Sequence, residues 1–146
     1  MAQTKSAVVK GIEPILPRPE VPLADMAFAP GIRVSSDMDL VYFSGITAYP
    51  VEVDPWNPGT FKLPADIDTQ NRMLTDNIDR MLQAAGITWQ HIIHIVRYTA
   101  EAGGGNYMRE KLGDWRPCST SLRVTDTGVP GAKVLYEITA VAPRKG

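Results

Sequence analysis

Cysteine, histidine and long apolar runs are scarce in this chain, and each scarcity removes a class of function. A single cysteine, Cys118, has no partner for an internal disulfide, and without a Cys/His cluster it cannot build a structural zinc site. His91 and His94 stand three apart in a strand-like run, so they are expected on opposite faces, unable to clamp one metal ion. No metal and no cofactor are expected. Nowhere do roughly eighteen apolar residues run together to cross a bilayer, and Met1 to Lys10 lacks the apolar core of a signal peptide. The expectation is a cytoplasmic protein that binds no membrane. Charge of one sign is not in excess either: 15 Lys plus Arg against 16 Asp plus Glu leave -1, with no basic stripe to neutralise the phosphates of nucleic acid. A Gly-x-Ser-x-Gly elbow is missing, and Gly103 to Gly105 lack the lysine and Ser/Thr of a phosphate loop. Trp56, Trp89 and Trp115 are scattered, without the spacing of a stacking platform.

What is present fits one domain over residues 1–146, with 44% hydrophobic residues and a proline-rich arm over 1–30. Five of the 12 prolines fall between Ile12 and Pro30, which predicts an extended, ordered arm or loop. Gly31–Val34 and Leu40–Ser44 read as two strands of a hairpin turning at Ser35, Ser36 and Asp37. A loop from Tyr49 to Pro64 leads to a helix over about Asp68–Ala85, with Leu74, Ile78, Met81, Leu82 and Ala85 as its apolar stripe. Asp68 is placed to cap this helix and Gly86 to end it. A β-branched run, His91–Thr99, then a glycine break, a short helix over Asn106–Leu112 and two strands, Cys118–Val124 and Lys133–Ala142, complete an α+β chain.

Alternation in the last strand sets Val134, Tyr136, Ile138, Ala140 and Ala142 on one face, under the helices, and Leu135, Glu137, Thr139 and Val141 on the other. In the preceding strand Ser119, Ser121 and Arg123 oppose Cys118, Thr120, Leu122 and Val124. If the polar sets share a side, the sheet has one mixed face carrying Glu137 and hydroxyls. Leu135 and Val141 make that face too apolar for open water, so cover by another subunit is expected. Glu137, in the middle of an apolar strand, is a general acid or base if buried; the other reading of the residues is a strand-edge carboxylate, exposed to water or paired with Arg123. Cys118 reads as a small core residue.

Several strings together resemble the RidA/YjgF family, also called endoribonuclease L-PSP-like: VYFSGIT at Val41–Thr47, QNRMLTDNIDRMLQAAG at Gln70–Gly86, IIHIVRYT at Ile92–Thr99, and VPGAKVLYEITAVA at Val129–Ala142. The resemblance covers about Ile32–Ala142. It implies a chorismate-mutase-like α+β fold, a mixed sheet with two helices on one face, a homotrimer, and small-molecule clefts between subunits. In active members a strand arginine after a Pro-Ala pair grips the substrate carboxylate and a last-strand glutamate positions water; Glu137 matches that glutamate. Ser44, Gly45 and Ile46 would line the same cleft, with Thr120 and Ser121 beside it, and Phe28 falls where active members carry a tyrosine. Asn106 is the nearest match to the family's cleft asparagine.

The arginine position is Ser119, because the chain reads Pro117, Cys118, Ser119. Arg123 shares the face of Ser119, but four residues of strand separate them by about 13 Å. A neutral, roomier pocket around Ser119 is therefore expected, suited to a larger or differently charged ligand than a small 2-imino acid. The resemblance implies a cofactor-free deaminase or related hydrolase of C–N bonds other than peptide bonds; the alternative is a non-catalytic trimer that binds a small ligand.

Overall fold

Helix α1, Ile67–Ala84, is the longest element of a computed structural model that describes residues 8–145. The first seven residues of the proline-rich arm lie outside the described residues. Leu74, Ile78 and Leu82 bury the apolar stripe of α1, and Gly86 ends the helix with φ at 69°. The cap is Asp66, not Asp68: its carboxylate accepts from the Thr69 backbone N–H at 2.8 Å and the Thr69 hydroxyl at 2.7 Å. Asp68 instead accepts from the Gly105 N–H at 2.7 Å and the Tyr107 hydroxyl at 2.6 Å, tying the glycine-rich break to the helix. Gly104 is required there, since a Cβ would stand 2.0 Å from the Asn71 side-chain nitrogen.

Polar residues of α1 are buried as well as apolar ones. Gln70 is fully buried; its amide donates to the Pro64 and Gly131 carbonyls at 2.7 and 3.0 Å and accepts from the Lys133 N–H at 2.8 Å. One side chain thus satisfies three loop groups that would otherwise be buried without partners. Gln70→Leu keeps much of the volume and strands all three, so equilibrium urea denaturation should show a loss of about 2–4 kcal/mol. A loss below about 0.5 kcal/mol would show that water or loop movement replaces these bonds.

The sheet differs from the hairpin reading. Strand β1, Ile12–Ile15, lies within the arm and pairs antiparallel with β2, Gly31–Val34. Proline is tolerated in β1 because the two-stranded ribbon leaves that strand an open edge. Strand β3, Met38–Tyr42, does not pair with β2. The Ser35 N–H bonds to the Gly11 carbonyl at 2.9 Å and the Met38 N–H to the Ser35 carbonyl at 3.3 Å, turning the chain from one sheet into the other. The larger sheet is mixed, in the order β3-β6-β4-β5, with β4 at Ile92–Thr99, β5 at Cys118–Arg123 and β6 at Val134–Pro143. Its single parallel pair, β4 with β5, is joined through helix α2, Tyr107–Leu112, as a parallel pair needs a crossover.

Val134, Tyr136, Ile138 and Ala140 are buried as alternation requires. They share one core with Leu74, Ile78 and Leu82 of α1 and Met108 and Leu112 of α2. Residues directly opposite in the ladder share a face. Register therefore sets Thr120, Val96 and Glu137 in one row, flanked by Leu122, Tyr98 and Leu135 on one side and Cys118, His94 and Thr139 on the other. Ser119 aligns with Ile95 and Ile138, Ser121 with Arg97 and Tyr136, and Arg123 with Thr99 and Val134, all on the helix-covered face. The expectation that Ser119, Ser121 and Arg123 lie on the side of Glu137 is thereby overturned. Alternation fixes the faces within a strand but not between strands, and β4 also carries an irregularity between Ile92 and His94.

Candidate functional site

Glu137 stands opposite a bulge. Tyr42 pairs with Thr139, the Phe43 N–H reaches the Ile138 carbonyl at 3.3 Å, and Ile46 and Tyr136 exchange two bonds of 2.9 Å. Two residues, Ser44 and Gly45, are left facing the single position of Glu137. Glycine permits the close approach here, because a Cβ on Gly45 would sit 3.0 Å from a methyl of Leu135. Ile46 turns into the core and is buried. The Glu137 carboxylate is exposed and accepts from the Tyr98 hydroxyl at 3.2 Å. Burial and then the charge of Glu137 hold the Tyr98 phenol above its ordinary pKa. No pair forms with Arg123, which lies across the sheet.

The same face carries Leu40, Tyr42 and Leu122, exposed by 59%, 73% and 42%. Leu135 is half-buried beside them. Val141, expected to need cover from a second chain, is already buried by its own.

On the helix-covered face a cleft of about 60 Å³ opens between β4, β5 and α2. Ser119, Asn106 and Ala27 line it, above apolar walls of Ile95, Met108 and Leu112. Three arginines also line it: Arg97 from β4, Arg109 from α2 and Arg116 from the approach to β5. Among the lining residues there is no carboxylate. Arg97 is half-buried and its Nε donates to the Ser121 hydroxyl at 3.1 Å. Arg116 is buried, and its guanidinium donates to the carbonyls of Ala24, Met26, Gly113 and Trp115 at 2.6–2.9 Å. Burial pulls its pKa down, and the charge of Arg109 pulls it further. These bonds, with the Ala29 N–H on the Pro117 carbonyl at 3.1 Å, fix the arm so that Ala27 meets the cleft. Phe28 is next to it in the chain and 49% exposed.

The candidate residues fall into two groups. Gly45 and Thr120 share the side of Glu137, and Ser44 stands in the bulge opposite it; Ser119, Ser121 and Arg123 share the other side, where only Ser119 of the three lines the cleft. The neutral pocket expected around Ser119 is corrected: three guanidinium groups surround that cleft. Arg97 and Arg109 were missed because no motif marks them. Arg97 reaches the cleft through strand register, and Arg109 through the α2 crossover. His91 is not in the strand either; it lies in the 3-10 turn Trp89–His91, its Nδ1 bonded to Thr88, so strand parity does not relate it to His94. Cys118 is half-buried on the Glu137 face, not in the core, and burial pushes its thiol up.

No family model matches the sequence, and no curated protein does. Solved structures do match in fold. A protein of unknown function of the conserved Rid family, YyfB from Yersinia pestis, superposes with a TM-score of 0.67 at 16% identity over 90% of this chain and 99% of that one. A member of the YjgF/YER057c/UK114 family from Mycobacterium tuberculosis gives 0.55 at 21% identity, over 90% and 99% of the two chains. A probable translation initiation inhibitor from Rhodopseudomonas palustris gives 0.55 at 20%, over 90% and 98%. At these identities the likeness is one of fold: two helices on a mixed sheet, in the manner of Rid proteins.

Proposed function

We propose that this chain is a cofactor-independent hydrolase of an enamine, imine or related small intermediate, working as a homotrimer of chorismate-mutase-like subunits. The observation that carries this reading is the separation of the acid from the cations. Glu137 and the arginine-lined cleft occupy opposite faces of one sheet, so a site that uses both needs a second copy of the chain. The exposed apolar residues Leu40, Tyr42 and Leu122 on the Glu137 face give such a copy something to cover.

The chemistry asks little of the protein. A protonated imine carbon is already electrophilic; water adds to it, the C–N bond breaks, and a carbonyl compound and ammonia leave. Glu137 orients the water, takes its proton on addition and returns it to the nitrogen as the C–N bond breaks, and the Ser44–Gly45 bulge leaves backbone groups outside the ladder for the substrate. Two measurements test this together. Light scattering should return three times 16.0 kDa, and an imine generated in situ should release ammonia faster with the protein than without. A stable monomer at micromolar concentration removes the intersubunit site.

A second reading, a trimer that binds a small ligand without turning it over, is favoured by the cleft lining, which holds arginines, an asparagine and a serine but no general base. Saturable ligand binding without ammonia release from any imine would select it.

A further inference from the structure

The cleft beneath α2 gathers three arginines with no carboxylate in its lining, although Asp114 and Asp25 act on Arg116 from outside it. None of Arg97, Arg109 and Arg116 forms an ion pair among the described residues; other unpaired cations, such as Arg33 and Arg123, stand outside this lining. Arg116 gives four of its five N–H donors to carbonyls and contributes mainly its field. Arg97 gives its Nε to Ser121 and also hydrogen-bonds the Tyr136 phenol, which leaves part of its five-donor fork for a ligand, and Arg109 is exposed at the rim. Small side chains at Ser119 and Ser121 leave the room in which Arg97 extends. The same lining includes the apolar side chains of Ile95, Met108 and Leu112. A lone inorganic anion has no use for them, whereas a short hydrocarbon chain with a charge at each end does.

We infer that this cleft binds a small organic dianion, a dicarboxylate, with Arg97 and Arg109 each receiving one carboxylate. As the substrate class of the hydrolase, an imine or enamine bearing two carboxylates, the assignment rests on the function proposed above. As a binding site it stands on the cleft alone. Arginine suits the task because its planar fork meets a carboxylate bidentately, and the half-buried setting of Arg97 strengthens its bond over the value in open water.

The test is calorimetric titration of the full chain, at fixed ionic strength, with succinate, butyrate, succinamide and inorganic phosphate. Succinate should bind at least about tenfold more tightly than butyrate, with no heat from succinamide and weaker binding of phosphate. Arg97→Gln and Arg109→Gln should each weaken succinate at least about tenfold, while Arg80→Gln, which removes a charge held by Glu52 outside the cleft, leaves it unchanged. Should Arg97→Gln disturb the fold by circular dichroism, Arg97→Lys keeps the charge, loses the fork, and should still bind measurably less tightly than wild type. Equal affinity for succinate and butyrate, phosphate bound as tightly as succinate, or undiminished binding in the arginine variants overturns the assignment. The two proposals fail separately: succinate binding without turnover of any imine ends the hydrolase and leaves this site, and turnover of monocarboxylate imines with no preference for succinate does the reverse.

Discussion

Glu137→Gln should lower turnover of any imine or enamine substrate by about 10²-fold or more while leaving the protein folded. Glutamine reproduces the shape of the side chain and can still accept from the Tyr98 hydroxyl, so the row on the sheet keeps its contacts. What it loses is the capacity to take a proton from water. The carboxylate is exposed and makes no ion pair, so little stability depends on its charge, and the thermal midpoint should move by only a degree or two. The loss should fall on kcat with KM little changed, because the substrate is gripped elsewhere. Wild-type turnover in this variant would make Glu137 structural and return the reading to ligand binding.

Much of the fold was legible because it follows from local periodicity. The stripe of Leu74, Ile78 and Leu82 located α1, and the alternation from Val134 to Ala140 identified the core face of β6 before any pairing was known. Pairing was less legible. Gly31–Val34 and Met38–Tyr42 are close in sequence and strand-like, yet each finds its partner elsewhere, because register answers to contacts between distant segments. The site divides in the same way. Glu137 and the Ser44–Gly45 pair were legible through their strings, and register does place them together. The cations were not, since Arg97 differs from any surface arginine only through the parallel ladder that sets it beside Ser121. Without that ladder, the serine at 119 read as a loss of charge from the pocket.

The exposed apolar face leads to the second large effect: the double variant Leu40→Glu, Leu122→Glu should reduce the proposed trimer to monomers at micromolar concentration. Leu40, Tyr42 and Leu122 lie on the side of the sheet away from both helices and are exposed in the single chain, so glutamate at 40 and 122 burdens the isolated subunit with little strain. In an assembly that covers this face, two carboxylates would have to leave water without partners, which costs several kcal/mol for each ion. Closed symmetry repeats that cost at every equivalent contact, and each 1.4 kcal/mol is about a tenfold change in the association constant. Light scattering should then return 16.0 kDa, while circular dichroism and the urea midpoint stay close to wild type. Imine turnover should vanish along with the assembly, although Glu137 and every arginine of the cleft remain in the chain. An unchanged trimer would mean that subunits meet through another surface. A folded monomer with full activity would mean that one chain can bring Glu137 to its substrate, and the separation of the two faces would then lose the significance given to it.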